Sequence, residues 1–65
     1  MTVNGEVKEI GQELMDVIAS YMDDEKREAV HAEMAPCSNE EFILRYLELD
    51  PDFEELLRIE FSVEV

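Results

Sequence analysis

Ile59-Glu60-Phe61-Ser62-Val63-Glu64-Val65 ends the sequence with an apolar residue at every second position. A period of two is the spacing of a half-buried strand, because successive strand side chains point to opposite faces. This stretch decides the fold, since nearly everything before it is spaced for helices. One strand cannot stand alone and must find a partner. The N-terminus, Met1 to Gly5, offers one: Met1 and Val3 alternate with Thr2 and Asn4, and Asn4-Gly5 marks the exit, with no clear second strand after it. The expected fold is α/β (α+β) and mostly helical, with three to four short helices and a small sheet made by the N- and C-terminal strands.

Between these ends the apolar period is that of helices. Val7, Ile10, Leu14, Val17, Ile18 and Tyr21 recur at three- and four-residue spacing, which predicts a helix from Val7 to Met22 with Gly11 inside it. Asp23 and Asp24 are caps for a second helix from about Glu25 to Ala35, whose apolar face (Ala29, Val30, Ala32 and Met34) is thin. Ser38-Asn39-Glu40-Glu41 has the capping-box form and opens a third helix to about Leu49. Asp50-Pro51 starts a fourth, with Asp50 as cap, Pro51 at the first helical position, and Phe53, Leu56 and Leu57 as its buried face.

Composition narrows the function. The chain has 65 residues, 18 acids against five Lys and Arg, a net charge of −13 and 46% apolar residues. That length allows a single acidic domain, residues 1–65, and excludes the large α/β enzyme folds. The apolar share argues against disorder. Five cations cannot neutralise many phosphates, so direct nucleic-acid binding is disfavoured, as is an anionic membrane surface. One cysteine, no basic apolar leader and no long apolar run point to a cytoplasmic setting.

Motifs for chemistry are weak. A calcium loop starting at Asp50 needs Gly at its sixth position and Glu at its twelfth, and meets Glu55 and Phe61. His31 and Cys37 are the only candidates for nucleophilic chemistry, and spacing alone gives them no base, orienting group or full metal set. Close carboxylate pairs arise by chance among 18 acids. No catalytic residue, metal or cofactor is expected.

The charge pattern stands out. Glu6, Glu9, Glu13 and Asp16 recur as a stripe along the expected first helix. Asp23 and Asp24 follow at the turn, and Asp50, Asp52, Glu54 and Glu55 form a third cluster. Such crowding should raise carboxylate pKa values and weaken the fold by self-repulsion. A 65-residue chain has a radius of gyration of about 11 Å and spans roughly 28 Å, over which duplex DNA carries about 16 charges. A net −13 is of that order. Three readings follow: mimicry of DNA toward a basic groove, an acidic protein-binding module of other purpose, and solubility alone.

By size, acidity, single-domain α/β pattern and lack of a catalytic signature, the whole chain resembles the small acidic anti-CRISPR inhibitors that phages and mobile elements encode. The resemblance implies a non-enzymatic inhibitor that binds the basic nucleic-acid-binding surface of a CRISPR–Cas surveillance complex, or of a similar host defence enzyme, and blocks DNA access. It implies as partner a basic nucleic-acid-binding protein, such as a subunit of a type I Cas complex, met by a monomer or weak homodimer in the host cytoplasm. Glu6, Glu9, Glu13, Asp16, Asp23, Asp24, Asp50, Asp52, Glu54 and Glu55 are the expected phosphate surrogates. The alternative is a helical adaptor or antitoxin-like module that binds through its apolar face.

Overall fold

The computed structural model describes every residue from Met1 to Val65. Strand β1 (Thr2–Val3) turns into β2 (Glu6–Val7), helices α1 (Gln12–Ser20), α2 (Asp24–Met34), α3 (Asn39–Leu49) and α4 (Phe53–Phe61) follow, and β3 (Val63–Glu64) returns to the sheet. The sheet order is β2-β1-β3, antiparallel throughout. Thr2 faces Glu64 and Val3 faces Val63, so the two ends of the chain pair as their alternation requires.

Several boundaries differ from the sequence expectation. Asn4 and Gly5 have φ of 51° and 81°. Two positive values in a two-residue loop make a hairpin turn whose twist matches the flanking strands. The chain therefore enters β2 rather than a helix, and Val7, 87% exposed, belongs to an edge strand. Helix α1 begins only after Gly11, which is its N-cap (φ −70°, ψ 164°) and supplies no capping side chain. At the other end, Ile59 and Phe61 remain in α4. The helix stops at Ser62, whose left-handed conformation (φ 54°) terminates it and redirects the chain. The strand is thus shorter than the alternating residues suggest.

The remaining helix ends follow their capping chemistry. Asp23 accepts a hydrogen bond from the Lys26 backbone N–H at 3.1 Å. At α3, Ser38 Oγ accepts from the Glu41 N–H at 3.1 Å while Glu41 Oε1 accepts from the Ser38 N–H at 3.2 Å. Each bond satisfies a donor that the first helical turn leaves without a partner. Entry to α4 is different from the expectation. Asp50 is the C-cap of α3, and three successive i to i+3 bonds, from the N–H groups of Phe53, Glu54 and Glu55 to Asp50, Pro51 and Asp52, wind the chain into the helix.

Eleven buried residues form one core, and none of them is charged. The largest completely buried side chains are Tyr46, Ile18, Ile43, Leu57, Val30 and Val63, drawn from all four helices and β3. Burying an aliphatic side chain of this size contributes about 1.5–3 kcal/mol. Val30 is the only buried residue of α2, as that helix's thin apolar face implies. With its core turned inward, the chain leaves its carboxylates on the outside.

Candidate functional site

Nine of the ten acidic candidates are exposed, and Asp50 is half-buried. They do not lie as the sequence spacing suggested. Glu13 and Asp16 are on α1, but Glu6 is on β2 and Glu9 is in the loop that follows. A single helical stripe of four carboxylates therefore does not exist: the hairpin turn at Asn4-Gly5 takes Glu6 into the sheet, and the late helix start leaves Glu9 outside α1.

The second and third clusters, distant in sequence, are brought together. Asp23 lies between α1 and α2, and Asp50 lies between α3 and α4. The hydroxyl of Tyr46 accepts from the Asp23 backbone N–H at 2.8 Å and donates to Asp50 Oδ2 at 2.9 Å. Its ring packs edge-on against Phe53 at 5.0 Å. Burial raises the phenol pKa above its ordinary value, so the group stays a neutral donor. One buried oxygen thereby joins the α1–α2 turn to the α3–α4 turn and brings Asp23 and Asp50 to either side of it. The sequence held a signal for this, a tyrosine on the apolar face of α3 four residues before Asp50, but its second contact requires the tertiary fold.

The carboxylates differ in how far they are already engaged. Asp24 pairs with Arg27 at 3.0 Å, Glu33 with Arg45 at 3.1 Å, and Glu55 with Arg58 at 3.6 Å. Glu48 also meets Arg45, and Glu40 meets the Met1 amino group at 3.2 Å. Asp16 accepts from the Gln12 side-chain amide, and Asp23, Glu41 and Asp50 are held by the caps and Tyr46. Nine acids have no such partner: Glu6, Glu9, Glu13, Asp52 and Glu54 among the candidates, and Glu25, Glu28, Glu60 and Glu64 besides. All three arginines are occupied by carboxylates, so the surface charge is poorly compensated. The Glu41 carboxyl is moved from its ordinary pKa. It is lowered, chiefly by its hydrogen bond from the Ser38 backbone, which is opposite to what crowding alone would produce.

His31 and Cys37 both line a groove of about 480 Å³ between α1, α2 and the start of α3, together with Asp16 and Phe42. No side-chain hydrogen bond joins them. No three His, Cys, Asp or Glu side chains converge as metal ligands. No helix is long and apolar enough to cross a membrane.

The fold and surface define a small, acidic, mostly helical α+β protein whose carboxylates outnumber its cations. The family model for anti-CRISPR protein AcrIC5 matches residues 1–49, and the chain belongs to that anti-CRISPR family. Inhibition of CRISPR–Cas is its activity, and a Cas complex is its partner. The matched stretch runs from β1 through the last residue of α3, so α4 and β3 lie beyond it. No curated protein matches the chain, and no solved structure does.

Proposed function

We propose that the protein inhibits a Cas surveillance complex by DNA mimicry: it occupies the basic surface that receives nucleic acid, with its carboxylates in place of phosphates. In this reading it is a stoichiometric inhibitor and not an enzyme. It acts as one acidic domain of residues 1–65, as a monomer or weak homodimer, in the host cytoplasm. The partner surface belongs to a nucleic-acid-binding subunit, such as one of a type I complex. The protein itself binds neither nucleic acid nor membrane and needs no cofactor.

The observation that carries this is the set of unpartnered carboxylates on a body of DNA-like charge density. The longest dimension is 31 Å, over which duplex DNA presents about 18 charges. The protein presents a net −13. Self-repulsion of that size opposes tight self-association and favours a cationic partner. Tyr46 joins the turns that carry Asp23 and Asp50, so in this reading those turns need little further ordering on meeting a basic groove, which limits the entropic cost of binding.

Two triple variants of equal charge test the reading. Glu13→Gln, Asp52→Asn and Glu54→Gln together remove free carboxylates. Glu33→Gln, Glu48→Gln and Glu55→Gln together remove carboxylates already held by arginine. The first set is expected to weaken binding to the purified Cas complex by at least about tenfold, or ~1.4 kcal/mol, and the second by much less. Equal effects would mean that net charge alone matters. No effect of either set would contradict a carboxylate-borne interface.

A further inference from the structure

We infer that Tyr21 is the seat of an arginine of the partner, whose guanidinium stacks on the exposed ring and pairs with the acids around it. This rests on the proposal of a cationic partner surface and names what meets one point of it. Seven large apolar side chains are exposed, and Tyr21, 52% exposed, is the only aromatic one among them. It is not a loose side chain. It caps α1 in helical conformation, and its ring meets Phe61 edge to face, with centroids 5.3 Å apart and planes at 88°. That contact supports one side of the ring while half of the residue stays uncovered. Val17, 48% exposed, lies one turn earlier on the same face of α1, and the free carboxylate of Glu13 one turn earlier again. Glu25 lies in the first turn of α2, four residues after Tyr21, and Glu60 directly precedes Phe61. An exposed aromatic ring is thus flanked along the chain by acids without partners, on a molecule of net charge −13.

The chemistry of that setting selects one kind of occupant. A second copy would bring another excess of negative charge, and an apolar ligand would leave the neighbouring carboxylates without partners. Lysine satisfies the charge but is a strongly hydrated point. Arginine is planar and weakly hydrated, stacks on aromatic faces, and still directs N–H donors to carboxylates at its edge. Tyrosine and arginine are also the residues that most often dominate interface energetics when they meet at a desolvated centre. A ring already packed on one side against Phe61 has less freedom to lose on being covered than a fully solvated one.

The test compares wild type, Tyr21→Phe and Tyr21→Leu for affinity to the purified DNA-free Cas complex across a series of salt concentrations. Phenylalanine keeps the ring and leucine keeps the apolar contact with Phe61 without it. Phe is expected to bind within about twofold of wild type and Leu roughly 5- to 30-fold more weakly, the upper part of the range of cation–π contacts, reached as the site is desolvated. The dependence of affinity on salt should be the same in all three, because no charge has changed. Leu binding as well as wild type would overturn the arginine seat while a steep salt dependence kept the acidic interface standing. Phe binding as weakly as Leu would overturn it too, by assigning the contact to the hydroxyl. Binding by wild type that is insensitive to salt would overturn the acidic interface and this inference with it. Should Leu lower the melting temperature enough to confuse the comparison, wild-type protein titrated with hexa-arginine and hexa-lysine peptides decides. Tyr21 ring-proton shifts that are larger with arginine support the seat, and equal shifts overturn it.

Discussion

The Tyr46 hydroxyl lies 2.9 Å from Asp50 Oδ2, one helical turn along α3, and this bond makes the C-cap carboxylate an acceptor for a buried phenol rather than a cap for α4. The same oxygen accepts the Asp23 N–H at 2.8 Å. A core residue, completely buried, therefore governs the geometry of two surface turns that carry acidic residues. Packing and surface electrostatics meet at one atom.

Tyr46→Phe retains the ring and its contact with Phe53 but removes both hydrogen bonds. Hydrogen bonds to charged groups contribute about 1.5–3 kcal/mol, and Asp50 keeps some access to water, so a loss of roughly 1–2 kcal/mol is expected in urea denaturation. Alkaline pH adds a second readout. Burial raises the Tyr46 pKa above its unfolded value, so the native state holds the phenolic proton more tightly. That contribution is complete below about pH 10 and is lost as pH rises through the folded value. The phenylalanine variant should lack this alkaline loss.

Gly11 distinguishes a cap from a helix interior. As the N-cap of α1 it has an extended conformation and no side-chain bond, and an added Cβ would meet nothing within 4 Å. Gly11→Ser can cap the helix and also restricts the unfolded chain, for a gain of about 0.5–1 kcal/mol. Gly11→Ala cannot cap. Thermal melts should therefore rank Ser above Ala. The opposite order belongs to a glycine inside the helix, where alanine is favoured.

The Ser38–Glu41 box sets an acid limit. The Glu41 pKa is lowered below 4.5 by the Ser38 backbone hydrogen bond, and then by the Ser38 side chain. A carboxylate with a depressed folded pKa stabilises the fold above its unfolded pKa, and that contribution disappears as pH falls through the folded value. Helicity followed by circular dichroism should thus fall in wild type as acidification protonates Glu41, and the acid loss should be shallower in Glu41→Gln. Identical acid profiles would remove the box from the account.

Added salt should stabilise the fold at pH 7. Nine carboxylates have no partner while all three arginines are engaged, so screening reduces more repulsion than attraction. Melting temperature should rise between about 10 mM and 150 mM NaCl, where the Debye length shrinks from roughly 30 Å to 8 Å. A flat or falling curve would contradict net repulsion in the native state.

Elements with strong local chemistry were legible in the sequence. Ser38 and Glu41 three residues apart, Asp23 before α2, and the apolar spacing of α3 each specify a structure without help from distant residues. The pairing of both chain ends followed from alternation at Val3 and Val63. The errors occurred where two periods overlap. Val7 fits the helical spacing of Ile10 and Leu14, yet the positive φ angles at Asn4 and Gly5 place it in an edge strand too short to show alternation. Ile59 and Phe61 fit a strand, yet the turn at Ser62 comes only after them. The acidic surface was legible as composition but not as arrangement. No local rule relates Asp23 to Asp50, because they meet through the side chain of a third residue on α3.

The central claim is that the protein and DNA need the same basic surface. A three-component titration of the Cas complex, labelled target DNA and this protein tests it most directly, with DNA affinity measured at increasing inhibitor concentration. Mimicry predicts mutually exclusive binding: apparent DNA affinity falls in proportion to added protein without reaching a plateau, excess DNA releases the inhibitor, and raising the salt weakens the inhibitor's hold. A stable ternary complex in which DNA remains bound at full affinity would contradict the account.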